Sequence, residues 1–158
     1  MESIIKINTN PPVFNTKWIR EGIDESCVNY LENMGFYLCD KKELDDRFPG
    51  FKAVTTSQLR NVFEEVKRIQ IALEGATTFE EVQTDILLLR PKIAYNAAKI
   101  LTKPQTRDSR IDAFRKFAEN ALLEVTKEDG VDKRTKYKRF CQLMEGIIAY
   151  HKVYGGKD

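Results

Sequence analysis

The sequence lacks the features of secreted, membrane-spanning and metal-binding proteins. Its first residues, MESIIKINTN, contain no basic region followed by an apolar stretch, so no secretion signal is predicted. No apolar run is long enough to cross a membrane. The three cysteines, Cys27, Cys39 and Cys141, are an odd number without C-x-x-C spacing, which argues against a disulfide framework and a zinc site. We therefore expect a cytoplasmic protein with reduced thiols and with no metal or cofactor.

Groups that could carry out catalysis are also scarce. His151 is the only histidine, and its position on the apolar face of the last predicted helix indicates a hydrogen-bonded packing residue. Adjacent carboxylates such as Glu64 and Glu65 point about 100° apart on a helix, so the two groups do not face each other and cannot act as a catalytic pair. The segment Gly155-Gly156-Lys157 follows the final helix with no helix behind it, which favours a helix cap over a phosphate loop. We expect no enzymatic activity and no catalytic residues.

Composition and charge favour one folded domain with an anionic partner. Of the 158 residues, 42% are apolar and 10% aromatic, enough for a hydrophobic core. Residues 1–89 carry 10 Lys and Arg against 15 Asp and Glu, whereas residues 90–158 carry 16 against 9. This asymmetry indicates nucleic acid as a partner of the second half. The alternative is a mosaic of solvated helix faces.

Helix start signals recur along the chain, and alternating strand patterns are nearly absent. We predict an all-α fold: a compact helical bundle of about five to six helices with a short irregular N-terminal arm. Residues 1–50 are predicted to form the arm and an extra helical segment. Residues 51–158 are predicted to form the helical core that carries the binding surface, with one domain overall. Pro91 is expected to kink a helix or to restart it.

One predicted helix, RPKIAYNAAKILTK at residues 90–103, has two distinct faces. At 100° per residue, its cations, amide and phenol share one side, and its small apolar residues occupy the other. A row of cations about one turn apart suits a polyanion, and a tyrosine can stack on a base or bond a sugar. The polar side carries Lys92, Tyr95, Asn96, Lys99 and Lys103.

Other basic residues extend this candidate surface. Arg60 and Lys67 are seven residues apart and share a helix face. In the last helix, Lys136 and Arg139 share the side of Tyr150. The sequence has no recognition-helix pattern of Arg, Asn and Gln directed at bases, so phosphate contact is the expected mode of binding.

Three segments together resemble a known family. They are TTSQLRNVFEEVKRI at 55–69, LLLRPKIAYNAAK at 87–99 and EGIIAYHKVYGGK at 145–157. In order and spacing they resemble the small helical subunit of the type III-A CRISPR interference complex. The matching positions are Ser57, Gln58, Arg60, Lys92, Ala94, Tyr95, Lys99, Ala149, Tyr150, His151 and Lys152.

The resemblance implies a non-catalytic subunit of a ribonucleoprotein effector. Several copies of it would assemble along the duplex of guide RNA and target RNA, beside the backbone subunits and the large polymerase-like subunit. RNA cleavage and cyclic-oligoadenylate synthesis would belong to those neighbours. The predicted RNA-binding residues are Arg60, Lys67, Lys92, Tyr95, Lys99, Lys103, Arg139 and Lys152.

Two other functions remain open from the sequence. A purely structural adaptor would use the same basic faces to meet acidic protein surfaces, without RNA contact. A small hydrolase would require turnover by the purified chain.

A separate hypothesis concerns Leu143, Ile147 and Tyr150, which form a second apolar seam on the last helix. This seam is predicted to contact another subunit, unless the N-terminal segment containing Trp18 covers it.

Overall fold

A computed structural model describes residues 11–39, 53–100 and 110–156, with only the backbone described at residue 100. Within these residues the regular structure is entirely helical, which confirms the predicted all-α bundle of five to six helices. The segment 11–16 that precedes the first helix has no regular structure. The helices are α1 (Lys17–Arg20), α2 (Glu25–Tyr37), α3 (Thr56–Glu74), α4 (Glu80–Ile100), α5 (Arg110–Thr126) and α6 (Lys133–Val153).

Side-chain hydrogen bonds hold the first turns of α3 and α4. At α3, the Thr55 hydroxyl accepts from the Gln58 backbone N–H, 3.1 Å, and the Gln58 side chain accepts from the Thr55 N–H, 2.8 Å. At α4, the Thr78 N–H donates to the Glu81 carboxylate, 2.7 Å. Of the two alternatives expected for Pro91, a kink or a restart, the restart is wrong, because α4 runs through it. Tertiary packing of one continuous apolar face outweighs the single backbone hydrogen bond that proline removes.

Helices α3 to α6 form a four-helix bundle. Each packs against the next one along the chain, and α6 closes the bundle by packing against α3. The Tyr137 hydroxyl of α6 donates to the Val66 carbonyl of α3, 2.7 Å, and His151 lies beside Thr56, so these two helices run antiparallel. Helices α1 and α2 pack mainly against α5 and α6, so the α3–α4 pair forms an outer side of the bundle.

Helices α1 and α2 cover the second apolar seam of α6. The backbones of α2 and α6 approach closely at Gly35, where an added Cβ would lie 2.6 Å from the Cβ of Tyr150. Leu143 and Ile147 are fully buried as a result. The hypothesis that this seam contacts another subunit is therefore wrong. The N-terminal helices of the same chain cover it, which is the alternative that the sequence left open.

His151 has the packing role that its position predicts. It is buried, and its Nε2–H donates to the Val54 carbonyl, 2.7 Å. An added Cβ at Gly156 would lie 2.0 Å from the His151 ring, so only glycine leaves room for the ring there. The Gly156 N–H donates to the His151 carbonyl, 2.8 Å, which closes the end of α6 as predicted for a helix cap.

Stability is expected to fall as the pH drops below about 6.5, because burial lowers the pKa of His151 below its ordinary value of 6.5. The unfolded chain then binds a proton that the folded chain resists, so acid favours unfolding. The contribution of neutral His151 to stability is complete above the pKa that this residue has in the unfolded chain. It is lost as the pH falls through the lower pKa that it has in the folded chain. Urea denaturation of the wild type and of His151→Gln between pH 5 and 8 measures it. Parallel profiles for the two proteins would contradict the prediction.

Candidate nucleic-acid interface

The polar face of α4 is exposed as its periodicity predicts. Tyr95 is 65% exposed, and the Nζ of Lys99 lies 5.2 Å from the centre of its ring. Ile93 and Ala97, on the opposite side of the helix, are buried in the bundle. The helix therefore presents an exposed aromatic ring beside a cation. Proteins that bind single-stranded RNA use such a pair, in which the ring stacks on a base and the cation contacts a phosphate.

A groove of about 310 Å³ runs between α3 and α4 beside this face. Its polar lining consists of amides, a carboxylate, an ammonium group and a phenol, so it offers both donors and acceptors. Its floor is apolar because it rests on the bundle core. The lining residues are Asn61, Val62, Glu65, Leu89, Lys92, Ile93, Tyr95 and Asn96.

An ionic cluster crosses the groove. The Glu65 carboxylate accepts from Nη2 of Arg68, 2.6 Å, and from Nζ of Lys92, 3.0 Å. Hydrogen bonds from Arg68 first, and from Lys92 next, lower the pKa of Glu65 to about 2. Sequence reasoning assigned no role to Glu65 or Arg68. The contact between Glu65 and Lys92 depends on how α3 and α4 align across the loop between them. Helical periodicity gives no information about this alignment.

The two predicted cations of α3 lie away from the groove. Arg60 and Lys67 are both exposed. At 100° per residue they lie about 140–160° around α3 from Glu65. The Nζ of Lys67 is 5.9 Å from the centre of the Phe63 ring. These residues flank α3 on its other side, so a ligand that touches all of the predicted cations must cross the outer face of this helix.

Several basic residues of α6 serve the fold. Nη1 of Arg139 donates to the backbone carbonyls of Ile19 and Arg20, each at 3.0 Å, and so caps the end of α1. Lys136 is fully buried and pairs with Asp129, 3.0 Å. The interpretation of Lys136 as an accessible cation beside Tyr150 is therefore wrong. Arg134 likewise donates to the carbonyls of Leu73 and Ala76 in the α3–α4 connection.

The remaining predicted residues lie apart from this groove or outside the described residues. Lys152 is exposed near the end of α6. Lys103 falls outside the described residues. In the described parts of the chain, no group of three His, Cys, Asp or Glu side chains is arranged to hold a metal ion. None of the helices that the structure describes is long and apolar enough to cross a membrane.

Comparisons with known proteins point to one family. Residues 42–157 match a family model described as Csm2 Type III-A. The chain is also 31% identical over 110 residues to the CRISPR system Cms protein Csm2 of Streptococcus thermophilus, which covers 69% of this chain and 79% of that relative. No solved structure matches the chain. The family match includes α3 to α6, and α1 and α2 precede it.

Proposed function

The chain belongs to the Csm2 family of type III-A CRISPR systems, and from this premise we propose a specific function for it. It acts as a non-catalytic small subunit of the type III-A effector complex that binds the backbone of guide or target RNA. The observation that carries this proposal is the exposed row of Lys92, Tyr95 and Lys99 beside the α3–α4 groove. Arg60 and Lys67 extend the surface across α3.

The geometry suits phosphate contact. Lys92 and Lys99 lie seven residues apart on one helix face, about 10 Å along the axis, so they reach different phosphates of one strand. Tyr95 lies between them and offers its ring to a base or its hydroxyl to a sugar. Such contacts bind the backbone without reading the sequence. A subunit of an effector programmed by different guides needs this kind of binding.

The same proposal includes protein partners. A small subunit of the effector contacts the backbone subunits, the large polymerase-like subunit and other copies of itself. In this function the chain bridges its neighbours while α3 and α4 face the RNA. Arg139 and Lys136 do not contribute to the RNA surface, because backbone carbonyls and Asp129 engage them within the fold.

Replacing Lys92 and Lys99 together by alanine is expected to weaken binding of unrelated single-stranded RNAs to a similar extent. Removing one phosphate contact lowers the slope of log affinity against log salt by about 0.7, so removing two lowers it by about 1.4. The fold is expected to survive because both side chains are exposed. Fluorescence anisotropy of labelled RNA across a salt series measures the slope, and circular dichroism checks the fold.

The matched control removes the same charge elsewhere. Lys116 pairs with Asp112 on α5, much as Lys92 pairs with Glu65, and Lys127 is exposed after α5. The Lys116→Ala, Lys127→Ala protein is expected to keep the wild-type slope. An equal reduction in both double variants would show that net charge alone matters. An unchanged slope in the Lys92, Lys99 variant would favour an adaptor that meets acidic proteins instead.

A further inference from the structure

The Glu65 carboxylate is held as a phosphate group would be. Nη2 and Nε of Arg68 reach its two oxygens, at 2.6 and 3.2 Å, in the forked geometry that guanidinium groups use for carboxylates and phosphates alike. Nζ of Lys92 approaches the first of these oxygens from the other helix, at 3.0 Å. Two cations from two helices thus converge on one anionic group.

This cluster is open to solvent, and two of its members, Glu65 and Lys92, line the groove. The side chains of Glu65, Arg68 and Lys92 are 30%, 55% and 50% exposed. Asn61, Tyr95 and Asn96 line the same groove and supply further polar atoms next to the cluster. An anion that arrives along α4 therefore reaches both cations without any change in the bundle core.

We propose that Arg68 and Lys92 form a phosphodiester subsite of the RNA surface, and that Glu65 holds its position until an RNA phosphate displaces it. The inference rests on the proposed function and adds two residues to it. Displacement needs only a rotation of the Glu65 side chain into solvent. Both cations then bind the phosphate in place of the carboxylate.

The competition sets how tightly the chain binds RNA. With Glu65 in place, the three side chains carry a net charge of +1, and without it the pair carries +2. The low pKa of Glu65 keeps its carboxylate ionised at neutral pH, so the competitor is always present. A chain built this way binds RNA weakly on its own and more tightly where other contacts hold a phosphate beside the groove.

Glu65→Gln is expected to bind a labelled single-stranded RNA about fivefold more tightly than the wild type. This is roughly the factor that one unit charge about 4 Å away contributes in water. The salt slope is expected to steepen as well, because two cations become available to phosphate. The control is Glu119→Gln on α5, which makes the same change in net charge at a carboxylate that pairs with Arg115 and, like Glu65, is 30% exposed. Melting curves of both variants confirm that each is folded.

A second measurement separates the subsite from a general charge effect. Lys92→Ala is expected to cost more affinity in the Glu65→Gln protein than in the wild type, because Lys92 is then free of its carboxylate. The proposal is overturned if Glu65→Gln gains no more affinity than Glu119→Gln, or if it only lowers the melting temperature. In either case the Lys92, Lys99 variant still decides the proposed RNA binding, so the two failures are distinguishable.

Discussion

Replacing Phe117 by alanine is expected to lower the free energy of unfolding by about 3–5 kcal/mol, the usual range for a buried phenylalanine. Its ring is buried and joins four parts of the chain through aromatic contacts. The ring centres lie 5.3 Å from Phe14, 6.1 Å from Tyr30, 6.0 Å from Phe114 and 6.1 Å from Phe140. The cavity would therefore open between the N-terminal segment, α2, α5 and α6.

Urea denaturation followed by circular dichroism measures this destabilisation. Leu123→Ala is the control, because Leu123 lies on the same helix and is exposed. A surface substitution of this kind is expected to change stability by about 0.5 kcal/mol or less. Similar destabilisation in the two variants would mean that Phe117 does not join the N-terminal helices to the bundle.

Gly35→Ala is expected to destabilise the chain by about 2 kcal/mol. The added Cβ would lie 2.6–2.8 Å from the Cβ and carbonyl carbon of Tyr150 and from the backbone nitrogen of His151, so α2 must move away from α6. Overpacking of this kind costs about 1–3 kcal/mol, and occasionally more, while alanine recovers about 1 kcal/mol of helix propensity. The contact here is with backbone, so we place the cost at the upper end of that range.

Gly146→Ala is the comparison that isolates backbone contact. Its added Cβ would meet Cδ1 of Leu31 at 2.6 Å, which is the end of a flexible side chain. A change of rotamer relieves that contact, and helix propensity offsets the rest, so a much smaller effect is expected. Thermal and urea unfolding of both variants compare them. Equal destabilisation would show that the α2–α6 contact tolerates a side chain at Gly35 as readily as at Gly146.

Local signals predicted most of the fold. The capping residues Thr55 and Gln58 fix the start of α3, and the polar face of α4 follows from the spacing of Lys92, Tyr95 and Lys99. Both depend on residues within a few turns of one another, so the sequence contains them directly. RNA binding by the α4 face stays a prediction.

Contacts between distant segments were beyond the sequence pattern. Arg139 has the spacing of a surface cation, yet it caps α1, more than one hundred residues earlier. Lys136 is buried because the turn before α6 places Asp129 and a backbone carbonyl against its ammonium group. The spacing of Leu143 predicted an apolar surface for another subunit, but α2 of the same chain packs against it. In each case the deciding contact is set by tertiary packing.

The α2–α6 contact also limits how this protein can be divided for experiments. The family match begins at residue 42, which makes a fragment starting there an obvious choice for expression. Such a fragment would leave Leu143 and Ile147 facing water and would deprive Arg139 of the carbonyls that it caps. Self-association of the fragment would then result from exposed core residues. Experiments on subunit assembly therefore need the full chain.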